Sequence, residues 1–349
     1  MKADKVLWAR RAQKLAAAWP KSRLHPAVVE QAEGRLRRAP WVVAFSGGAD
    51  SLTLLMLLWA HWPERRARLS ALHFNHRLRG AAADRDEEFC RKVCRALGVP
   101  LKVGRRRETL LIKSEAQARA ARFDFIDRQM KARRAKALWL GHQQNDIAES
   151  MLMRLARGSG AGGLAAPRPV QQQAEGRVHL RPLLPLKREE LEKALDAVKA
   201  TWREDATNVG GDFFRNRIRR DVLPAWSAAA GRDALGGAAR ARELLDEDDA
   251  ALEAWVDTLA PISRAGALDV TRLSGKPRAV VRRALHRWRL RQRDAGELVR
   301  QGFDALLAAV MRGKATKHSL GAKGFAVIRG GVLRYERNRL VPQKSRARL

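Results

Sequence analysis

The sequence predicts an α/β fold with a doubly wound, mainly parallel sheet, followed by a helical domain and a small β-rich C-terminal piece. Three observations carry this. Four short apolar runs, at residues 41–45, 69–74, 100–104 and 137–140, have the length and composition of buried strands. Each is followed by a stretch of helical length, the later three at 84–97, 114–134 and 145–157, and repeated β–α units fold as a parallel sheet with helices on both faces. Three of the strand ends carry polar clusters, at 46–51, 75–79 and 142–149, where sheets of this kind bind their ligands.

Residues 1–19 are basic and amphipathic without the apolar core of a signal peptide; a helix packed on the first domain is preferred to a transit peptide. The run Trp41-Val42-Val43-Ala44-Phe45 then leads into Ser46-Gly47-Gly48-Ala49-Asp50-Ser51 and an apolar helix. Two glycines at a strand-to-helix turn let the backbone bend sharply and approach a ligand, and the helix start offers unpaired N–H groups to an anion. The turn reads as a phosphate cradle. It differs from the P-loop, whose lysine is missing, and Asp50 stands where phosphate charge would gather. A bare carboxylate repels phosphate, so a bridging Mg²⁺ reconciles the two. The competing reading is an ordinary turn with Asp50 as helix cap.

Beyond the fourth helix, residues 158–163 read as a flexible loop, 167–176 as a mobile surface loop, 181–186 as a rigid extended segment and 187–199 as a helix. A polar turn at 202–208 and a strongly basic stretch at 213–223 lead to Pro224, taken as a boundary. Apolar periodicity at 239–259, 279–290 and 302–310 marks the helical region, and Gly330-Gly331 between two β-like runs marks a hairpin. The expected domains are therefore 1–224, 225–313 and 314–349, the last ending in a basic tail.

The 349 residues, 46% of them hydrophobic, are too many for one ordinary core. Lysine and arginine number 70 against 37 acidic residues, a net charge of +33, spread along the chain. Such an excess implies a polyanionic partner, most plainly nucleic acid, with a bare composition bias as the alternative. Cys90 and Cys94 are too few for a zinc or iron–sulfur site and read as reduced thiols of a cytosolic protein. No apolar run reaches transmembrane length, so no membrane partner is expected.

Four further clusters bear on chemistry. His142 precedes a helix start that presents Asp146 and Glu149 three residues apart on one face, suited to metal binding and charge management beside a phosphate loop; a helix dipole alone would also favour acids there. Asn75-His76-Arg77-Leu78-Arg79 follows the second strand and could grip a phosphate or a base edge, or be a solvated loop. Arg119 and Arg122 are helical neighbours whose interest depends on facing the sheet edge. Four arginines, among them Arg215 and Arg219, stand beside Phe213 and Phe214, where guanidiniums can pair with phosphates and rings can stack on bases, or where a charged linker simply joins two domains.

The string S-G-G-A-D-S after a strand resembles the PP-loop of the ATP-pyrophosphatase superfamily, whose fold is that of the adenine nucleotide alpha hydrolases. Taken with N-H-R-L-R (75–79), A-R-A-A-R-F (118–123), G-H-Q-Q-N-D-I-A-E-S (141–150), R-P-L-L (181–184), E-D-A-T-N (204–208) and R-N-R-I-R (215–219), all in order, the chain is similar to the tRNA(Ile)-lysidine synthase family over its first two thirds. That resemblance implies ATP-dependent adenylation of the carbonyl oxygen on carbon 2 of the wobble cytidine in a CAU anticodon, then attack by the ε-amine of free L-lysine with loss of AMP. It implies ATP and Mg²⁺ as cofactors and tRNA(Ile) and L-lysine as partners, and leaves room for a homodimer. Residue by residue, Ser46, Gly47, Gly48, Ala49, Asp50 and Ser51 would hold the β- and γ-phosphates, and Asp50 and Asp146 the metal. His142 and Arg122 would offset charge at the α-phosphate, and Glu149 would orient or deprotonate the lysine amine. Arg79, Arg119, Arg181, Arg215, Asn216 and Arg219 would contact tRNA. Two departures stand out: Asn145 replaces the commoner aspartate, and only 318–336 hints at the family's acceptor-binding domain. A non-catalytic RNA-binding protein that kept the fold, another PP-loop tRNA-modifying enzyme and a small-molecule amide-forming PP-loop enzyme are the competing readings.

Overall fold

The computed structural model describes residues 2–78, 80–106, 114–204, 213–292, 299–321 and 324–338. The elements run α1 (Lys2–Ala18), α2 (Pro26–Glu33), β1 (Trp41–Ala44), α3 (Ala49–His61), β2 (Leu69–Asn75), α4 (Ala81–Leu97), β3 (Leu101–Arg105), α5 (Glu115–Ala132), β4 (Ala137–Trp139), α6 (Gln144–Leu155), α7 (Ala161–Leu164), β5 (Val170–Gln172), β6 (Val178–Leu180), α8 (Arg188–Ala197), α9 (Phe214–Arg217), α10 (Leu223–Ala230), α11 (Ala234–Leu259), β7 (Leu268–Asp269), α12 (Arg278–Arg291), α13 (Arg300–Arg312), β8 (Thr316–Ser319), β9 (Gly324–Arg329) and β10 (Val332–Arg337). They divide into two compact units, Met1–Asp246 and Glu247–Leu349.

In the first unit the sheet order is β3-β2-β1-β4-β6-β5, parallel throughout except that β5 runs antiparallel to β6. Successive residues of β1 point to opposite faces and so enter different cores. Trp41 and Val43 join the cluster under α1, α3 and α4; Val42 joins Leu72 and Leu138 under Phe125, Ile126 and Met130 of α5. Helix α3 is apolar all round and accordingly buried all round, from Leu52 to Trp59. Trp41 packs against Trp139 and Trp62 at ring-centroid distances of 4.6 and 5.5 Å, joining β1, β4 and the end of α3. The strand order reverses direction between β1 and β4. That is the topological switch point where such sheets open a crevice at the strand ends.

The structure corrects the sequence reading at several places. The span 158–163 contains the start of α7. Part of 167–176 is the edge strand β5, paired Val170 to Leu180 and Gln172 to Val178, because the neighbouring β6 has an open edge that local composition does not reveal. The 181–186 segment is a tight turn, closed by the Leu186 N–H donating to the Leu183 carbonyl at 2.9 Å. Burial of Leu183, Leu184 and Leu186 drives it. Pro224 lies within a continuous helical run from Phe214 to Ala230, directly after its π-helical turn Ile218–Val222, and the division into units falls later, within α11. Residues 205–212 lie outside the described residues, and with them most of the E-D-A-T-N string.

The second unit packs α12, α13 and the four-stranded sheet β7-β10-β9-β8 around Trp288, Leu285, Leu307, Ile328 and Leu333. The expected hairpin is present, with Gly330 and Gly331 at φ +56° and +73° in its turn. Helical and β segments here share a single core, since so small a ribbon needs a helical layer to bury its face.

Candidate active site

After β1 the chain turns through Ser46, Gly47 and Gly48, and α3 begins at Ala49. Gly47 adopts φ +92°, and a Cβ there would lie 3.1 Å from Cys90 Sγ and 3.3 Å from a Phe89 ring carbon, so only glycine fits. The turn is tied by its own hydroxyls. The Ser46 N–H donates to Ser51 Oγ at 3.2 Å, the two hydroxyls lie 3.0 Å apart, and Ser51 Oγ donates to the Gly48 carbonyl at 3.1 Å. From outside, the Arg203 N–H donates to the Gly47 carbonyl at 3.0 Å while Arg203 Nε bonds Asp86 at 2.7 Å. Cys90 lies beneath the turn, 3.4 Å from His73 Nδ1; burial raises its thiol pKa and pushes that of Cys94 up to about 12, so both remain protonated core thiols.

The opposite wall is built by the end of β4 and the start of α6. Gln143 caps α6, accepting from the Asn145 N–H at 2.6 Å, and Asp146 accepts back from the Gln143 N–H at 2.9 Å. Gly141 brings the two walls together. A Cβ on it would sit 3.0 Å from the Asp50 carbonyl and 3.1 Å from the Ser51 nitrogen. Asp50 is largely buried and its Oδ1 has no hydrogen-bond partner. Burial first, and the Asp146 carboxylate second, push its carboxyl up to about 7, with Arg188 and Arg219 pulling the other way. Asn145 ties α6 to the start of α8. Its side-chain oxygen accepts the Arg188 N–H at 3.2 Å, a bond that the amide makes as well as a carboxylate.

Glu149, fully buried, and Asp146 meet two arginines from a segment about seventy residues away. Arg215 Nε donates to Glu149 at 2.7 Å while its Nη2 bonds Asp146. Arg219, four residues on in the π-helical turn Ile218–Val222, forks onto Glu149 at 2.6 and 3.0 Å. His142 accepts at Nδ1 from Arg181 Nε at 3.1 Å; Arg181 is itself buried and held by the Arg168 carbonyl at 2.7 Å and Gln171 Oε1 at 3.0 Å. Burial, then the charges of Arg181, Arg215, Arg119 and Arg122, hold the imidazole pKa well below its ordinary value, so it is neutral. Arg119 and Arg122 of α5 thus lie close enough for their charge to be felt at His142. Asn75 instead serves α4, donating to Asp84 at 3.0 Å and Glu87 at 3.2 Å beside a cavity of about 310 Å³ lined by Arg77, Glu88, Arg91 and Arg105. Arg79 lies outside the described residues.

Of the expected site residues, then, the structure gathers Ser46–Ser51, Asp50, His142, Asp146 and Glu149, with Arg181, Arg215 and Arg219 on the acids and the imidazole. Gly141 and Arg203 were missed. Glycine directly after a strand signals a close approach for Gly141; nothing local signals Arg203. Among the described residues no three His, Cys, Asp or Glu form a metal cluster. The unpartnered Asp50 oxygen beside Asp146 nevertheless suits Mg²⁺, which takes one or two protein carboxylates and completes its shell with water and phosphate oxygens.

A PP-loop domain model matches residues 22–226. The chain is 37% identical over 274 residues to the tRNA(Ile)-lysidine synthase of Geobacter sulfurreducens, covering 75% of this chain and 57% of that one. It is 43% identical over 188 residues to the protein of the same name from Solibacter usitatus, covering 53% and 40%. The chain thus spans about half the length of the curated relatives it matches. The U34-tRNA thiolase NcsA from Methanococcus maripaludis shares the fold at a TM-score of 0.50 and 14% identity, over 70% of this chain and 80% of that one. Because the matched span takes in both walls of the crevice and the arginine segment that closes it, the chain belongs to the PP-loop domain family.

Proposed function

We propose that the protein uses ATP to join L-lysine to carbon 2 of the wobble cytidine of the CAU-anticodon tRNA(Ile), through an adenylated tRNA. One observation carries the reading: a glycine elbow with a helix start, suited to a polyphosphate, faces a buried Asp–Glu pair and a neutral imidazole across the switch point of the sheet. The ordered motifs and the names of the curated relatives support the choice of substrate.

In the first step the cytidine O2 attacks the α-phosphorus and pyrophosphate leaves. The Gly48–Ser51 backbone at the start of α3 receives the β- and γ-phosphates, and its fixed N–H dipoles need no reorganisation as charge shifts. Asp50 and Asp146 would hold Mg²⁺, which when bound would neutralise phosphate charge. His142 and Arg122 would serve the α-phosphate oxygens. In the second step the lysine amine must shed a proton before attacking carbon 2, and AMP leaves with O2. Glu149 is the acid placed to orient that amine. Arg215 and Arg219 donate to both its oxygens, so the amine must share or displace these bonds to reach it. Arg119 and Asn216 remain candidates for tRNA contact, as do Arg215 and Arg219 once displaced. The net charge of +33 suits a polyanionic substrate.

Among the described residues no helix is long and apolar enough to cross a membrane; the reading places the protein in the cytoplasm and is compatible with a homodimer. The deciding assay is ATP-dependent incorporation of labelled lysine into CAU-anticodon tRNA, with a tRNA differing only in its anticodon as control. Incorporation into neither, or AMP release without tRNA, would overturn the assignment.

A further inference from the structure

We propose that Arg181 is a positioning residue that fixes His142 as its Nε2–H tautomer, so that the imidazole works as a neutral hydrogen-bond donor. The proposal rests on the function given above for what the donor does, and on geometry alone for the tautomer.

A guanidinium has five N–H donors and no acceptor, so the 3.1 Å contact between Arg181 Nε and His142 Nδ1 requires a lone pair on Nδ1. The ring proton is thereby confined to Nε2, on the opposite edge. Arg181 cannot swing away easily. Its Nη1 donates to the Arg168 carbonyl at 2.7 Å, its Nη2 to Gln171 Oε1 at 3.0 Å, and the residue is 4% exposed. Both anchors come from the span 168–172, which contains the edge strand β5, so an element remote in sequence from His142 sets its orientation. The same guanidinium charge disfavours a second ring proton, as do burial and the charges of Arg215, Arg119 and Arg122. The result is an imidazole that offers one directed N–H to a developing negative charge and gives up no proton as it does so. A cationic histidine would instead attract any anion and could lose its proton to the leaving group. Preorganised neutral donors of this kind typically matter by about 10²–10³ in rate.

The test uses the full-length protein labelled with ¹⁵N-histidine, with His142→Gln to assign the signal. In the wild type the two ring nitrogens of His142 are expected at shifts of a neutral ring with a protonated Nε2, unchanged from pH 6 to 8. Arg181→Met should release the ring to a mixture of tautomers, and Arg181→Lys, which can still donate, should keep most of the Nε2–H form. ATP–pyrophosphate exchange with tRNA should fall by about 10²-fold in kcat for Arg181→Met, with the KM for ATP changed less than threefold, and recover partly in Arg181→Lys. A protonated Nδ1 in the wild type, or an unchanged ring in Arg181→Met, overturns the proposal. Correct ring shifts without any exchange activity would instead count against the ligase reading and leave the tautomer assignment standing. Thermal melting identifies a variant that has merely unfolded. Should Arg181→Met unfold, Gln171→Leu, which removes one anchor, is expected to produce the same mixture more weakly, and a ring identical to wild type in that folded variant would overturn the proposal as well.

Discussion

Replacing Gly141 with alanine perturbs the contact on which the two walls of the crevice depend. The added Cβ would stand 3.0 Å from the carbonyl carbon and oxygen of Asp50 and 3.1 Å from the nitrogen of Ser51. Ordinary contact begins near 3.4 Å, and all three neighbours are backbone, so no side chain can rotate out of the way. The start of α3 must retreat by a few tenths of an ångström, or β4 must. Overpacking of this kind costs about 1–3 kcal/mol. The retreat also moves the N–H groups proposed to bind phosphate, and Asp50, relative to Asp146, and misplacement approaching 1 Å costs about 10²-fold in rate. Gly237→Ala is the matched control. It lies inside α11, nothing stands within 4 Å of its added methyl, and it should stabilise the protein by about 0.5–1 kcal/mol without touching activity. Urea unfolding and ATP–pyrophosphate exchange read both effects. If Gly141→Ala matches the wild type in stability and exchange, the close approach of the walls is not what organises the site.

Three further outcomes are expected. Asp50 holds a proton in the folded protein up to about pH 7, whereas its ordinary value is 3.8, so the stability it permits is complete below pH 3.8 and lost as pH rises through 7. The ceiling is about 4 kcal/mol; Asp50→Asn should remove that slope in urea unfolding without ATP while abolishing exchange, and parallel slopes for the two proteins would contradict the burial argument. Glu149→Gln removes the buried counter-charge of Arg219 and one of the two held by Arg215, whose other is Asp146, and should cost about 3 kcal/mol in the same unfolding measurement; a loss below 1 kcal/mol would mean the fork contributes little. Binding of tRNA should weaken by about 10³-fold between 50 and 200 mM salt, measured by filter retention, and a flat salt response would deny the +33 charge any part in binding.

How much of this was legible in the sequence varies with the range of the interaction. The strand at 41–45, the elbow after it and the acids at the start of α6 were readable because strand propensity, glycine backbone freedom and helix-start chemistry act within a few residues. The glycine pair in the C-terminal hairpin was readable for the same reason. The edge strand β5 was not, because Val170–Gln172 becomes a strand only when β6 offers it an unpaired edge. The arginines show the same limit. As a string, 215–219 reads as a basic patch for phosphates; in the fold, Arg215 and Arg219 lie on carboxylates 66 to 70 residues away. Arg181, expected from the resemblance to contact tRNA, is buried against His142.

The sequence by itself determined which groups are present and which short-range turns present them: a lysine-less glycine elbow, an acidic helix start and a large positive charge. Only the tertiary structure decided which charges face one another. A guanidinium accepts any nearby anion, and the partner it takes is set by chain closure over tens of residues and by burial that excludes water as a competitor, neither of which is written in any local run of residues.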